Sequence, residues 1–255
     1  MTESASKAAS SLVIDCAGVY YRDLNARLRE AVDSGVEKIE LRNVQGQRYI
    51  GTDLDRPVQI DIYGTPGNDL AAFMNGPRIE VHGNAQDGTG NTMNEGEIVI
   101  HGHAGDLLGL SARGGRIFVH YGVGYRAGIH MKEYKEKKPV LVIGGSAQDF
   151  LGEYMAGGVL VVLGLDLKEG ESHRSNFLAT GMHGGVIYLR GNVESHQLGK
   201  EVGVAELTDS DRSVLNQLVG EYCQYFGHDA QQVLSGKFVK LFPRYLRPYG
   251  RLYTP

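Results

Sequence analysis

Pairs of aliphatic residues recur along the middle of the chain, each pair split by one residue and followed by a glycine-rich stretch. Most neighbouring pairs lie 19 residues apart, and two longer intervals of 24 and 27 residues indicate insertions. Alternation with a period of two places side chains on one face of a β-strand, so the pattern predicts seven short strands. The pairs are Ile60/Ile62, Ile79/Val81, Ile98/Ile100, Ile117/Val119, Leu141/Ile143, Leu160/Val162 and Ile187/Leu189.

The residues between these pairs also repeat, with a small residue and then an acid at fixed offsets after several of the strands. One strand per 19 residues cannot bury its aliphatic face alone, whereas stacked coils can. The sequence therefore predicts an all-β fold, a right-handed single-stranded parallel β-helix of about seven coils. The hand follows from the general preference of parallel crossovers.

The two ends of the chain depart from the repeat. A strand over residues 11–17, a helix over 21–32 and a strand over 38–42 predict a small N-terminal α/β cap, after about ten disordered residues. Helices over residues 208–226 and 229–234 are predicted near the other end, followed by an irregular tail over 238–253. The expected division is a cap over 1–55, a β-helix over 56–195 and a C-terminal helical segment and tail over 196–255.

The outward side of the predicted strands changes from polar to apolar along the chain. A soluble protein does not leave so large an apolar stripe bare, so either the C-terminal helices or another protein must cover it. We expect the chain's own residues 214–242 to bury Val142, Val161 and Tyr188. The apolar residues available for this contact are Leu215, Leu218, Tyr222, Leu234 and Phe238.

Composition narrows the choice of function. The chain has 255 residues, a formal net charge of -4, and no long block of one charge that would favour nucleic acid or an anionic membrane. It has neither a transmembrane run nor a signal-peptide core, which favours a cytoplasmic location. Cys16 and Cys223 alone cannot hold an iron–sulfur cluster.

Two stretches of the sequence resemble known catalytic or cofactor-binding motifs, but neither matches its motif in full context. Residues 122–127 read GVGYRA, which matches a dinucleotide fingerprint, but they lie in phase with the repeat and no helix follows. Residues 109–113 have Arg113 where a hydrolase nucleophile elbow requires glycine. We therefore assign no catalytic and no cofactor-binding residue.

Two rows of polar residues are candidates for chemistry. His82, His101 and His120 occupy the same place in consecutive coils, and Tyr63 precedes them. They could bind a metal, but a straight row supplies the tetrahedral geometry of zinc poorly, and stacked identical side chains are normal in solenoids. Asp87, Asp106 and Asp149 could form an acid/base couple, although aspartates at repeated corners usually bond backbone N–H groups. The expectation is no metal site.

Several segments resemble the C-terminal GXGXG-type β-helix domain of glutamate synthase large subunits. They are QRYIGTDL (47–54), GNDLAAF (67–73), GGRIFV (114–119), EYMAGGVLVVLG (153–164), GMHGGVIY (181–188) and FVKLFP (238–243). The chain departs from that domain at the insertions over 132–138 and 165–173 and in its short N-terminal piece. The same domain type also occurs as a free-standing protein and, more distantly, as one of the chains of formylmethanofuran dehydrogenase.

The resemblance implies a non-catalytic structural subunit of a glutamate synthase-type oxidoreductase. Its partners would be a glutamine amidotransferase-like subunit and an FMN-binding synthase-like subunit, which would carry the FMN and the iron–sulfur clusters; this chain would bind no cofactor. One alternative is a scaffold in a formylmethanofuran dehydrogenase-like or N-methylglutamate synthase-like complex. A second is a β-helix hydrolase that uses the histidine or aspartate row.

Overall fold

Nine parallel strands stack in chain order into one continuous sheet, which confirms the predicted parallel β-helix. The computed structural model describes residues 10–244. The predicted right hand stays a prediction, as do the domain boundaries at residues 55 and 195. The strands are β1 (Ser11–Asp15), β2 (Lys38–Gln45), β3 (Gln59–Thr65), β4 (Asn75–His82), β5 (Glu95–Ile100), β6 (Arg116–Val119), β7 (Val140–Ile143), β8 (Ala156–Val162) and β9 (Gly184–Arg190).

The aliphatic pairs of the repeat lie in register along the sheet. Ile60 pairs with Ile79, Ile79 with Ile98, and the alignment continues through both insertions to Ile187. All fourteen aliphatic residues of the seven pairs are at most 1% exposed. Burial of one such side chain stabilises a fold by about 1.5–3 kcal/mol, so these two columns form the central part of the core.

The N-terminal segment joins this sheet. Helix α1 (Tyr21–Asp33) crosses between β1 and β2 and buries Leu24 and Leu28. Strand β2 then pairs in parallel with β3, so that Ile39 lies beside Ile60. The predicted strand, helix and strand are confirmed, and they add two strands to the seven of the repeat. The predicted disorder of residues 1–10 concerns residues that lie, except for Ser10, outside the described part.

Tight corners between the strands require glycine where the next coil comes close. Gly128 has φ of 73°, and a Cβ there would lie 2.6 Å from the side chain of Leu160. A second ladder of small residues runs along these corners, pairing Ala85 with Ala104, then Val123, then Ala147. The repeated small residues and glycines thus allow the coils to stack at strand spacing.

The C-terminal end closes the sheet in a way that the sequence did not predict. Strand β10 (Val202–Ala205) pairs with β11 (Phe238–Pro243), and β11 lies antiparallel to β9. The prediction of an irregular tail is wrong for residues 238–243, because the last coil would otherwise leave an unpaired strand edge. Residues 245–253 of that predicted tail lie outside the described residues.

Helices α2 (Asp209–Phe226) and α3 (Ala230–Leu234) confirm the two predicted helices. Thr208 caps α2 by accepting the backbone N–H of Asp211, and Gly227 ends it in a left-handed conformation. The helices cover the apolar stripe: Val142 and Val161 are fully buried, and Tyr188 is 2% exposed. They form a second core with Leu215, Leu218, Val219, Tyr222, Cys223 and Val233, joined at its margin by Leu234 and Phe238. The predicted intramolecular cover is confirmed.

Candidate functional site

The predicted histidine row exists as a stack at the ends of three strands. His82 ends β4, and its ring lies between Tyr63, at 4.4 Å between ring centroids, and His101, at 5.2 Å. Both contacts are nearly parallel, with 11° between the planes. Phe226 of α2 contacts the ring of His101 edge-on and so ends the stack. The stacked residues Tyr63, His82 and His101 are called the histidine ladder below.

Glu80 joins the histidine ladder from the same face of β4. Its Oε1 lies 2.9 Å from Nε2 of His101, while Arg78 donates to its Oε2 at 2.7 Å. Burial alone would raise the pKa of Glu80, but the hydrogen bonds from His101 and Arg78 hold it below its usual value. Glu80 is therefore a carboxylate at neutral pH, with one oxygen turned towards the histidines.

Glu80, His82 and His101 are the group that could hold a metal ion. One potential ligand atom from each lies within 4.8 Å of the other two. The sequence analysis did not include Glu80 among the potential metal ligands. The strand pattern could have indicated it, because Glu80 and His82 are two residues apart on one strand and so share a face.

His120 leaves the ladder and contacts the C-terminal segment. Its ring stacks on Phe226 at 4.6 Å, and its Nε2 lies 3.1 Å from Nε2 of His228. Burial lowers the pKa of His120, and the imidazoles of His228 and His101 lower it further. One neutral ring can donate to the other across this distance, so the pair fastens the α2–α3 junction to the sheet. His120 and His228 are 108 positions apart in the chain, so no local sequence pattern predicts their contact.

Charged residues beside the ladder anchor α2 to the early strands. The Glu97 carboxylate accepts hydrogen bonds from Arg78, from Arg116 at 2.7 Å and from the Tyr225 hydroxyl at 2.9 Å. Arg116 also pairs with Glu221 of α2 at 2.7 Å. The polar part of the outer face is thus used for structure, in the same way as the apolar stripe.

The aspartate row lies at repeated corners. Asp87 Oδ1 accepts the backbone N–H of Asp106 at 2.9 Å, and Asp106 Oδ1 accepts that of Tyr125 at 2.8 Å. Asp149 Oδ1 accepts the N–H of Asn176 at 2.7 Å. Each aspartate therefore bonds the backbone of the following coil, which confirms the interpretation of the row as corner residues.

The remaining sequence candidates, the GVGYRA stretch and the two cysteines, lie in corners or in the buried core. Val123, within the GVGYRA stretch, forms bridges to Ala104 and Ala147 at a corner. Cys16 and Cys223 are both buried, and burial raises the pKa of the Cys16 thiol to about 11. Within residues 10–244, no serine or cysteine side chain donates a hydrogen bond to a histidine.

The two insertions fold onto the solenoid. Residues 132–138 form a small turn in which Tyr134 and Lys137 pair, and Lys137 reaches back to Glu95 at 2.7 Å. In residues 165–173, the buried ring of His173 bonds the carbonyl of Arg190 at 2.9 Å. The aliphatic pairs on either side of each insertion stay aligned.

An open groove lies at the Tyr63 end of the histidine ladder. It has a volume of about 740 Å³ and is lined by Glu40, Arg42, Asn43, Val44, Gln45, Tyr63 and Gly64. No helix within residues 10–244 has the length and apolar composition needed to cross a membrane.

The model of the GXGXG motif family matches residues 39–247, which is most of the chain. The chain belongs to the GXGXG motif family. An uncharacterised protein of Methanocaldococcus jannaschii is 47% identical over 257 residues, covering 98% of each chain.

A solved structure shares the fold of this GXGXG protein. It is the formyltransferase/hydrolase complex FhcABCD from Methylorubrum extorquens, in complex with methylofuran. One chain of it aligns with a TM-score of 0.56 and 19% identity, covering 79% of the present chain and 71% of its own. At this identity the likeness shows the fold alone.

Proposed function

We propose that this GXGXG protein is a non-catalytic, cytoplasmic structural subunit of a larger assembly of the glutamate synthase type. Its partners would be a glutamine amidotransferase-like chain and an FMN-binding synthase-like chain, which together would make glutamate. The observation that carries the proposal is the family match over residues 39–247. The aspartate row bonds the backbone at repeated corners, and His120 contacts the C-terminal segment, which supports a structural role for these residues.

A corner of the solenoid has the composition of a protein interface. Phe150 and Phe177 stack at 4.8 Å, and the guanidinium of Arg126 lies 4.4 Å above Phe150. Phe177 is 53% exposed and has φ of 56°, a conformation that bulky residues rarely adopt. Exposed aromatic rings and arginine are enriched at interfaces. These residues, together with the insertion over 132–138, are the proposed contact with a partner chain.

A formyl-transferring complex is the second candidate. It is favoured by the formyltransferase/hydrolase complex from M. extorquens, in which a chain of the same fold occurs. A scaffold role is common to both candidates, and they differ in the chemistry of the partner chains.

Purification of the complex from source cells, with an affinity tag on this chain at its native expression level, separates the two candidates. The glutamate synthase proposal expects an amidotransferase-like chain and a flavoprotein to copurify in fixed ratio, with a flavin absorbance band. Copurification of formyltransferase and hydrolase chains would establish the second candidate instead. A Phe177→Ser variant should lose the partners, whereas Tyr20→Ser, which also removes an exposed ring, should keep them.

The isolated chain should bind no flavin, iron–sulfur cluster or nucleotide, since we assign the redox cofactors to the partner chains. An absorbance spectrum of the pure protein measures this directly. A flavin band at one equivalent per chain would show that a cofactor site belongs to this protein itself.

A further inference from the structure

The histidine ladder and Glu80 have the donor set of a divalent metal site. We infer that Glu80, His82 and His101 bind Zn²⁺. Two imidazole nitrogens and one carboxylate oxygen are typical zinc ligands, and three protein ligands leave a position for water or another molecule. The inference does not depend on the proposed function.

Glu80 adds a third donor, a carboxylate oxygen, to the two imidazoles. Its Oε1 lies 2.9 Å from Nε2 of His101, and one potential ligand atom from each of the three residues lies within 4.8 Å of the other two. Arg78 occupies the other oxygen at 2.7 Å and fixes the orientation of the carboxylate. A hydrogen bond that orients a ligand in this way is the usual support of a metal site.

The positions of the three residues are set by rigid structure. Glu80 and His82 lie on β4, and His101 directly follows β5, which pairs with β4 over Ile79–Val81. One adjustment is needed, because the rings of His82 and His101 lie nearly parallel and their in-plane lone pairs do not converge. The ring of His82 is exposed and makes no side-chain hydrogen bond within the described residues, so turning it towards the other two donors breaks only its stacking contacts.

The site lies next to the open groove that Tyr63 lines. Tyr63 stacks on His82 and also lines that groove, whose other residues include Arg42 and Glu40. A fourth ligand of the zinc would be water. Because imidazole must be deprotonated to bind a metal, affinity should fall as the pH is lowered.

The test is a calorimetric titration of untagged, full-length protein, stripped with a chelator, with Zn²⁺. We expect one Zn²⁺ per chain, and no comparable binding of Mg²⁺, which prefers oxygen ligands. His101→Ala and His82→Ala should each weaken zinc binding about 100-fold or more, since loss of a supporting contact already costs about 10–100-fold. Titration with Co²⁺ should give a visible absorption spectrum that the same variants abolish.

His130→Ala is the matched control, because His130 is also exposed and stacked on a ring, that of Tyr154, at another corner. It should leave the zinc affinity unchanged. Circular dichroism checks that each variant is folded. The inference is overturned if the protein shows no saturable zinc binding, or if the ladder variants bind as the native protein does. It is equally overturned if His228→Ala, which removes one ring of the His120–His228 pair, abolishes binding while His101→Ala does not.

Discussion

Asp211 joins three elements of the C-terminal segment through one buried carboxylate. It accepts the hydroxyl of Tyr188 on β9 at 2.5 Å and the ammonium of Lys240 on β11 at 2.9 Å. It also bonds Thr208 at the start of α2. Burial opposes the charge, but the hydrogen bonds from Lys240, Tyr188 and Thr208 lower the pKa of Asp211 well below its usual range. The carboxylate therefore stabilises the folded state.

Asp211→Asn should lower the free energy of unfolding by roughly 1.5–3 kcal/mol, as expected for a buried hydrogen bond to a charged group. A folded-state pKa below the unfolded value of about 3.9 means that the stabilisation is complete above that pH and is lost as the pH falls further. The native protein and the variant should thus converge in stability in acid. Urea unfolding at several pH values measures this, with the exposed Asp209→Asn as control. Equal stability of native protein and variant at pH 7 would contradict the role of Asp211.

Two glycines near α2 should respond oppositely to alanine. A Cβ at Gly144 would overlap the Tyr222 hydroxyl and the His120 carbonyl, so Gly144→Ala should destabilise the fold by about 1–3 kcal/mol. Gly220 lies within α2 with open space around it, so Gly220→Ala should stabilise the fold by roughly 0.5–1 kcal/mol. Thermal denaturation of both variants tests how closely α2 is docked. A Gly144→Ala protein as stable as the native one would show that the helix does not approach the sheet so closely.

At the scale of elements, the C-terminal segment acts as a cover for the solenoid. Helix α2 buries Leu215, Leu218 and Tyr222 against the apolar stripe. Strand β11 pairs with the last strand of the parallel sheet. Together they remove an exposed apolar face and an unpaired edge, both of which promote aggregation.

Removal of all residues after Leu207 should expose the stripe and the edge of β9, and the protein should aggregate. Leu218→Ala is a milder test, and should destabilise the fold by about 2–5 kcal/mol without removing β11. Size-exclusion chromatography and thermal denaturation measure both effects. A truncated protein that stays monomeric and equally heat-stable would show that the segment does not cover the stripe.

The sequence predicted those elements whose pattern repeats locally. The aliphatic pairs predicted seven strands and their register, and the helix predicted over residues 208–226 corresponds to α2. Strand β11 was missed because six residues with one short alternation carry little signal until the edge of β9 is known. The contacts of His120 with Phe226 and His228 join distant parts of the chain, so no local pattern contains them. Glu80 was within reach of the strand pattern but was not connected with the ladder.

At the scale of the molecule, the protein is a stack of coils with a covered side and an aromatic corner. Nine parallel strands at the usual spacing span roughly 40 Å, a length suited to holding other chains apart. Each coil contacts mainly its neighbours, so the regular part tolerates insertions at corners, as it does at residues 132–138. These properties agree with the proposed structural role in a larger assembly.

The central claim is that this chain acts as part of a larger assembly. Native mass measurement of the particle that contains the endogenous chain, in gently lysed source cells, tests it most directly. The account predicts a particle much heavier than the 27.8 kDa chain, of fixed composition, in which this chain is present together with catalytic subunits. A particle of 27.8 kDa, or one made only of copies of this chain, would contradict it.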